Sequence, residues 1–235
     1  MKHILNSKKL QFSPLRVAVH VGAWLPLAWL AWDAFNGNLT ANPIQAVTQR
    51  TGRYAITLLV LSLACTPINT LFGFRQALTV RRALGLYAFL YAAIHFFMFI
   101  GVDYRFDMTL LPSAILEKRF VLVGLAALLI LAILAVTSFK WWMKRLGKNW
   151  KRLHQLIYLA GVLVVLHYAW AVKGDLVSLQ GDIIKPLIYA SIVILLLALR
   201  IPIVRKTTSR LRARLAGRPA AAPASQPKRA GNSHG

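Results

Sequence analysis

The chain has 235 residues, 57% of them hydrophobic where a soluble globular domain has about 45–50%, and its mean hydropathy is +0.56. A net charge of +23, from 29 Lys+Arg against 6 Asp+Glu, falls mostly between and after long apolar blocks. That distribution excludes a soluble enzyme and makes nucleic acid unnecessary as a partner, leaving a helical protein whose solvent is the lipid bilayer.

In chain order, a short basic segment, 1–13, leads into a first apolar block, 14–34, with no small-residue cleavage site, so the block reads as a retained helix. His20 lies near its start. The second block, 54–73, holds the lone cysteine, Cys65, which excludes an internal disulfide or a CxxC motif. Thr66–Pro67 near its end predicts a bend. The third, 83–101, follows Arg75, Arg81 and Arg82 and contains His95. The fourth, 120–139, runs into Trp141–Trp142, which with Trp150 and Tyr158 read as interfacial anchors. The fifth, 154–172, opens on His154 and contains His167, and the sixth covers 186–204. Blocks of about 20 residues match a hydrocarbon core of about 30 Å at about 1.5 Å per helical residue. Residues 205–235, basic and rich in Ala, Pro and Ser, are expected to be a disordered tail near anionic lipid.

Charge bias orients the bundle. With the N-terminus in the cytoplasm, 22 of the 29 Lys+Arg fall on the cytoplasmic side and all six acidic residues on the other. The reverse orientation inverts this bias against the positive-inside rule. The expected fold is therefore all-α: six transmembrane helices over 14–204, N-in and C-in, in a bacterial inner membrane.

Of six histidines, His3 and His234 belong to the tails. The other four lie in or beside spans, where an ionisable side chain is costly and faces the bundle interior. His95 is about 18 Å along the third span and His167 about 20 Å along the fifth, both running outward. Two imidazoles at one depth on different helices can clamp a haem iron. Fourteen residues, close to four turns, separate Arg81 from His95, so Arg81 falls on the same face and at the depth of His154. Arginine is a poor iron ligand but a natural partner for a propionate or phosphate. That layer can hold a haem with His154 as its protein ligand, or an anionic group such as a flavin phosphate. The thirteen-residue offset from His154 to His167 turns about 220°, so the two do not share a helix face unless the chain is irregular between them. His20 is either an interhelical hydrogen bond or a neighbour of a quinone or haem.

The sequence has no HExxH, GxSxG, Walker A or GxGxxG motif, and no soluble domain for a nicotinamide. The stretches TGRYAITLLVLSLACTPI (51–68), RRALGLYAFLYAAIHF (81–96) and WKRLHQLIYLAGVLVVLHY (150–168) resemble the ferric-reductase-like transmembrane family, over residues 10–205. In that family spans three and five each carry two haem-ligating histidines. His95 and His167 match the outer pair and His154 the inner member of span five, while Arg81 stands where the fourth histidine would be.

The resemblance implies one or two haems b, and FMN as an associated cofactor. With six spans and no dehydrogenase domain, it is closest to the haem-binding subunits of periplasmic methionine-sulfoxide reductases. These imply electrons entering from the quinone pool or a flavin reductase and leaving to a periplasmic molybdopterin-containing subunit. The alternatives are a membrane ferric reductase and a haem-free anchor or transporter.

Overall fold

The computed structural model describes residues 13–172, 174–175, 180–181, 183–202, 204 and 207–208. His3, Lys173, Asp182, His234 and nearly all of the expected tail lie outside the described residues. The described chain is helical apart from turns and one two-residue antiparallel pair, β1 (Gly174–Asp175) with β2 (Gln180–Gly181), in which Gly174 faces Gly181.

Local chemistry sets the helix ends. Pro14 occupies the first turn of α1 (Pro14–Phe35), where its missing N–H costs nothing. The Asn42 side chain accepts the Gln45 amide at 3.1 Å and Pro43 follows it, so α2 (Pro43–Phe72) starts well before the apolar block expected at 54. It stops at Gly73, whose φ of 73° is left-handed and whose N–H reaches the Asn69 carbonyl. The third helix, α3 (Gln76–Phe97), continues into a π-helical turn, Met98–Asp103, just past His95. A short α4 (Leu111–Glu117) lies in the loop before α5 (Arg119–Val136). Two short basic helices, α6 (Lys140–Leu146) and α7 (Lys148–Leu153), hinge on Gly147 at φ 49°. A break at His154–Gln155 separates α7 from α8 (Leu156–Ala171), and α9 (Ile184–Ala198) is the last helix.

Five segments are long and apolar enough to cross a membrane: Pro14–Phe35, Pro43–Phe72, Gln76–Asp103, Arg119–Val136, and Lys148–Ala171 taken across the His154 break. The chain is a multi-span membrane protein. Its sixth apolar segment is shorter than expected: α9 has 15 residues, about 22 Å at 1.5 Å each.

The most extensive packing is α2 along α3 and α5 along α8, with α9 closing against α8 and α2 and α1 lying on α3. Leu59 and Leu63 of α2 meet Ala88 of α3, Leu131 of α5, Ala160 of α8 and Leu196 of α9 in one core. Ala88 and Ala160 have no exposed surface. In lipid, helices gain little from hiding apolar surface from each other, so close approach at small residues supplies the attraction. Large apolar side chains such as Trp29, Leu129 and Ile194 point outward, as lipid contact requires.

Candidate functional site

Antiparallel packing brings the starts of α2 and α5 to the same end of the bundle as the ends of α3 and α8. His95, in the last turn of α3, and His167, on α8, meet there with ring centroids 6.0 Å apart and planes at 84°. Each ring is held the same way. His95 Nδ1 lies 2.8 Å from the Thr48 carbonyl of α2, and His167 Nδ1 lies 2.7 Å from the Phe120 carbonyl of α5.

A carbonyl oxygen can only accept, so both Nδ1 atoms carry the proton and donate it. In the neutral imidazole this leaves each Nε2 as the free lone pair, directed away from the carbonyl. The described residues contain no group of three or more His, Cys, Asp or Glu able to hold a metal ion. Two imidazoles are too few for a protein-ligated ion but are the number a porphyrin iron takes axially. The donor set therefore fits haem.

At the opposite end, Arg81 and His154 line one open-sided cavity with Arg82, Trp150, Tyr158 and Arg200. Arg81 Nη1 donates to Thr66 Oγ1 at 3.1 Å, and its carbonyl accepts from Ser62 Oγ at 2.9 Å. His154 occupies the break between α7 and α8, outside both helices. Its Nε2 is 3.1 Å from Thr137 Oγ1, and its ring lies against Trp150 with centroids 4.1 Å apart. Trp150 is itself fixed by donating from Nε1 to the Thr137 carbonyl at 2.8 Å.

Arg200, just past the end of α9, also lines this cavity. It donates to Tyr158 Oη at 2.8 Å and to the Leu63 carbonyl at 2.5 Å, and its guanidinium carbon lies 4.9 Å from the centre of the Tyr158 ring. Its buried Nε has no hydrogen-bond partner. Three arginines thus line a cavity that, among the described residues, no carboxylate lines. The only sequence signal for Arg200 was an arginine at the edge of an apolar run.

His20 joins neither layer. Its Nδ1 is 2.7 Å from Tyr87 Oη, with the rings edge to face at 5.6 Å, so it links α1 to α3. At the His95 end, Arg50 donates from Nη1 to Asp33 Oδ2 at 2.5 Å, tying α2 back to α1. In the loop beyond α3, the Asp107 carboxylate accepts from the Thr109 hydroxyl at 2.6 Å and from its amide at 2.8 Å, which holds its pKa below the ordinary 3.8. Lys118 donates to Tyr104 Oη at 2.9 Å, which raises its pKa above the ordinary 10.5.

Residues 51–165, spanning α2 to α8 and including His95 and His154, match the family model of the ferric reductase like transmembrane component. Over longer stretches the chain is similar to proteins described as the protein-methionine-sulfoxide reductase heme-binding subunit MsrQ. That of Rhodospirillum rubrum is 44% identical over 196 residues, covering 83% of this chain and 91% of the relative. Those of Xanthomonas axonopodis pv. citri and Xanthomonas campestris pv. campestris (strain 8004) are 40% and 38% identical, covering 79% and 88% of this chain and 85% and 95% of the relatives. The chain belongs to the MsrQ family.

Proposed function

We propose that this protein is the membrane electron-transfer subunit of a methionine-sulfoxide reductase, with b-type haem held between His95 and His167. The observation that carries the reading is the imidazole pair itself: rings 6.0 Å apart, each with Nδ1 committed to a main-chain carbonyl. The relatives' description as heme-binding subunits supports the same assignment. When bound, haem supplies a one-electron couple whose potential depends on its axial ligands, their hydrogen bonds and burial.

The residues of the chain do the rest. α2 and α5 orient the two ligands, and the surrounding apolar helices exclude water. At the other layer Arg81, Arg82 and Arg200 attract an anion, and His154 forms part of the wall. Because His154 Nε2 already faces Thr137, this layer suits an anionic group retained by charge, such as an FMN phosphate or the propionates of a second haem.

The charge bias supports an N-in, C-in bundle in the inner membrane, with 1–13 and 205–235 cytoplasmic and a haem-binding domain over 14–204. α9 then serves as the sixth span, its short length met by local thinning of the bilayer. In this orientation the His95–His167 layer is periplasmic. Electrons enter from the quinone pool or a flavin reductase near Arg81 and leave to a periplasmic molybdopterin-containing subunit, which acts on methionine sulfoxide in proteins.

A reduced-minus-oxidised spectrum of the purified chain tests the reading. It is expected to contain a low-spin b-type α-band that His95→Ala and His167→Ala each abolish. Absence of the band after haem supply refutes it. Transfer of electrons to soluble ferric iron, with none to a periplasmic reductase, would favour a ferric reductase instead.

A further inference from the structure

Both imidazoles rest on glycine. A Cβ built on Gly124 would lie 2.5 Å from His167 Nδ1 and 2.8 Å from its Cε1. One built on Gly52 would lie 3.0 Å from His95 Nδ1 and 3.1 Å from its Cε1. Real Cβ atoms essentially never come closer than 3.0 Å, so alanine at 124 must displace the ring, and alanine at 52 must nudge it.

The register explains why. Gly52 follows Thr48 by one helical turn, and Gly124 follows Phe120 by one turn, so each glycine is four residues beyond the carbonyl its histidine engages. In an α-helix the Cα–Cβ bond leans toward the N-terminus, so the side chain at i+4 sits over the carbonyl of residue i. A glycine there uncovers the second lone pair of an oxygen whose first already serves the helix. The same device occurs twice, on α2 for His95 and on α5 for His167.

Resting on the haem-ligand reading above, we infer that Gly52 and Gly124 are positioning residues for the two axial ligands. Each opens a main-chain carbonyl to Nδ1–H, which fixes the imidazole tautomer and aims Nε2 at the iron. A hydrogen bond from Nδ1 also raises the basicity of the ligating nitrogen, which favours the oxidised metal.

The test uses the full chain purified after haem supply, as wild type, Gly124→Ala, Gly52→Ala and Gly22→Ala. Gly22, on α1 and outside both layers, is the internal control, because its added Cβ would meet nothing within 4 Å. Haem per chain, the α-band and the midpoint potential are measured together. Gly124→Ala should hold haem about 10–100-fold more weakly, the scale of lost outer-shell contacts at metal sites. Haem that remains should have a more positive potential. Gly52→Ala should shift the same way by less, and Gly22→Ala should match wild type.

Full haem at unchanged potential in both Gly124→Ala and Gly52→Ala overturns the inference, as does equal damage from Gly22→Ala. Wild type without haem refutes the haem reading itself, which the glycine variants do not address.

Discussion

At the His95–His167 layer each ring donates Nδ1–H to a carbonyl built into a neighbouring helix, whereas at the Arg81–His154 layer the histidine faces a threonine hydroxyl through Nε2. A helical carbonyl cannot rotate and cannot donate, so it dictates one tautomer. The Thr137 hydroxyl already donates to the Ile133 carbonyl at 2.7 Å, so it accepts from His154 Nε2–H and leaves Nδ1 as the unprotonated nitrogen of the neutral ring. The first pair also sits on glycines inside continuous helices, while His154 caps α7 at a break and stacks on Trp150. Residue type alone therefore does not assign a histidine its task. The nitrogen each ring commits, and the partner it commits it to, separate the two layers.

The sharpest way to break this comparison is to remove the imidazoles one at a time. His167→Ala and His95→Ala should each abolish the low-spin band, a loss beyond the 10–100-fold expected of outer-shell changes. His154→Ala should keep it. If His154→Ala removes the band while His167→Ala retains it, the two layers have been assigned the wrong way round. The glycine variants come next in size, and their graded order tests whether ring orientation, rather than general packing, sets the difference.

The cation layer should respond more mildly. Charge-assisted hydrogen bonds are worth about 1.5–3 kcal/mol, so Arg81→Gln or Arg200→Gln should weaken retention of an FMN phosphate by roughly tenfold or more. Fluorescence titration with FMN at two salt concentrations measures this, and the outer b-type band should stay unchanged. Equal binding by wild type and both variants would remove the charge-retention role. Because Arg200 also satisfies Tyr158 Oη and the Leu63 carbonyl, its variant should be the less stable of the two.

The smallest effects belong to the loop that joins α3 to α5. Asp107 has a lowered folded pKa, so its contribution is present above its ordinary 3.8 and is lost as pH falls through the lower folded value. Lys118 has a raised folded pKa, so its contribution is present below its ordinary 10.5 and is lost as pH rises through the higher folded value. Hydrogen exchange across residues 104–118 should thus show order that varies little with pH between those limits and loosens beyond them. Asp107→Asn should weaken the acid-side change without altering haem content. A loop transition near neutral pH would contradict this.

Much of the architecture was legible because membrane insertion writes itself into composition. Apolar runs marked five spanning segments and the shorter α9, and helical rise placed His95 and His167 at one depth. Arg81 and His154 were likewise placed at one level, and both line the same cavity. The early start of α2 was missed although Asn42–Pro43 announced it, because residues 43–53 are too polar to read as part of a span. That turn carries Thr48 and Gly52, both of which meet the His95 ring.

By itself, then, the sequence determined the helical membrane class, the approximate spans and the levels along their helices that pair His95 with His167 and Arg81 with His154, since hydrophobicity and helical rise are properties of contiguous residues. Only the tertiary structure decided which nitrogen of each histidine is committed, that Gly52 and Gly124 bare the carbonyls, and that Arg200 turns into the cavity. Each of these depends on a contact between helices: His95 and His167 find their carbonyls 47 residues away. A partner at that separation is chosen by the register and rotation of packed helices, which no local pattern encodes.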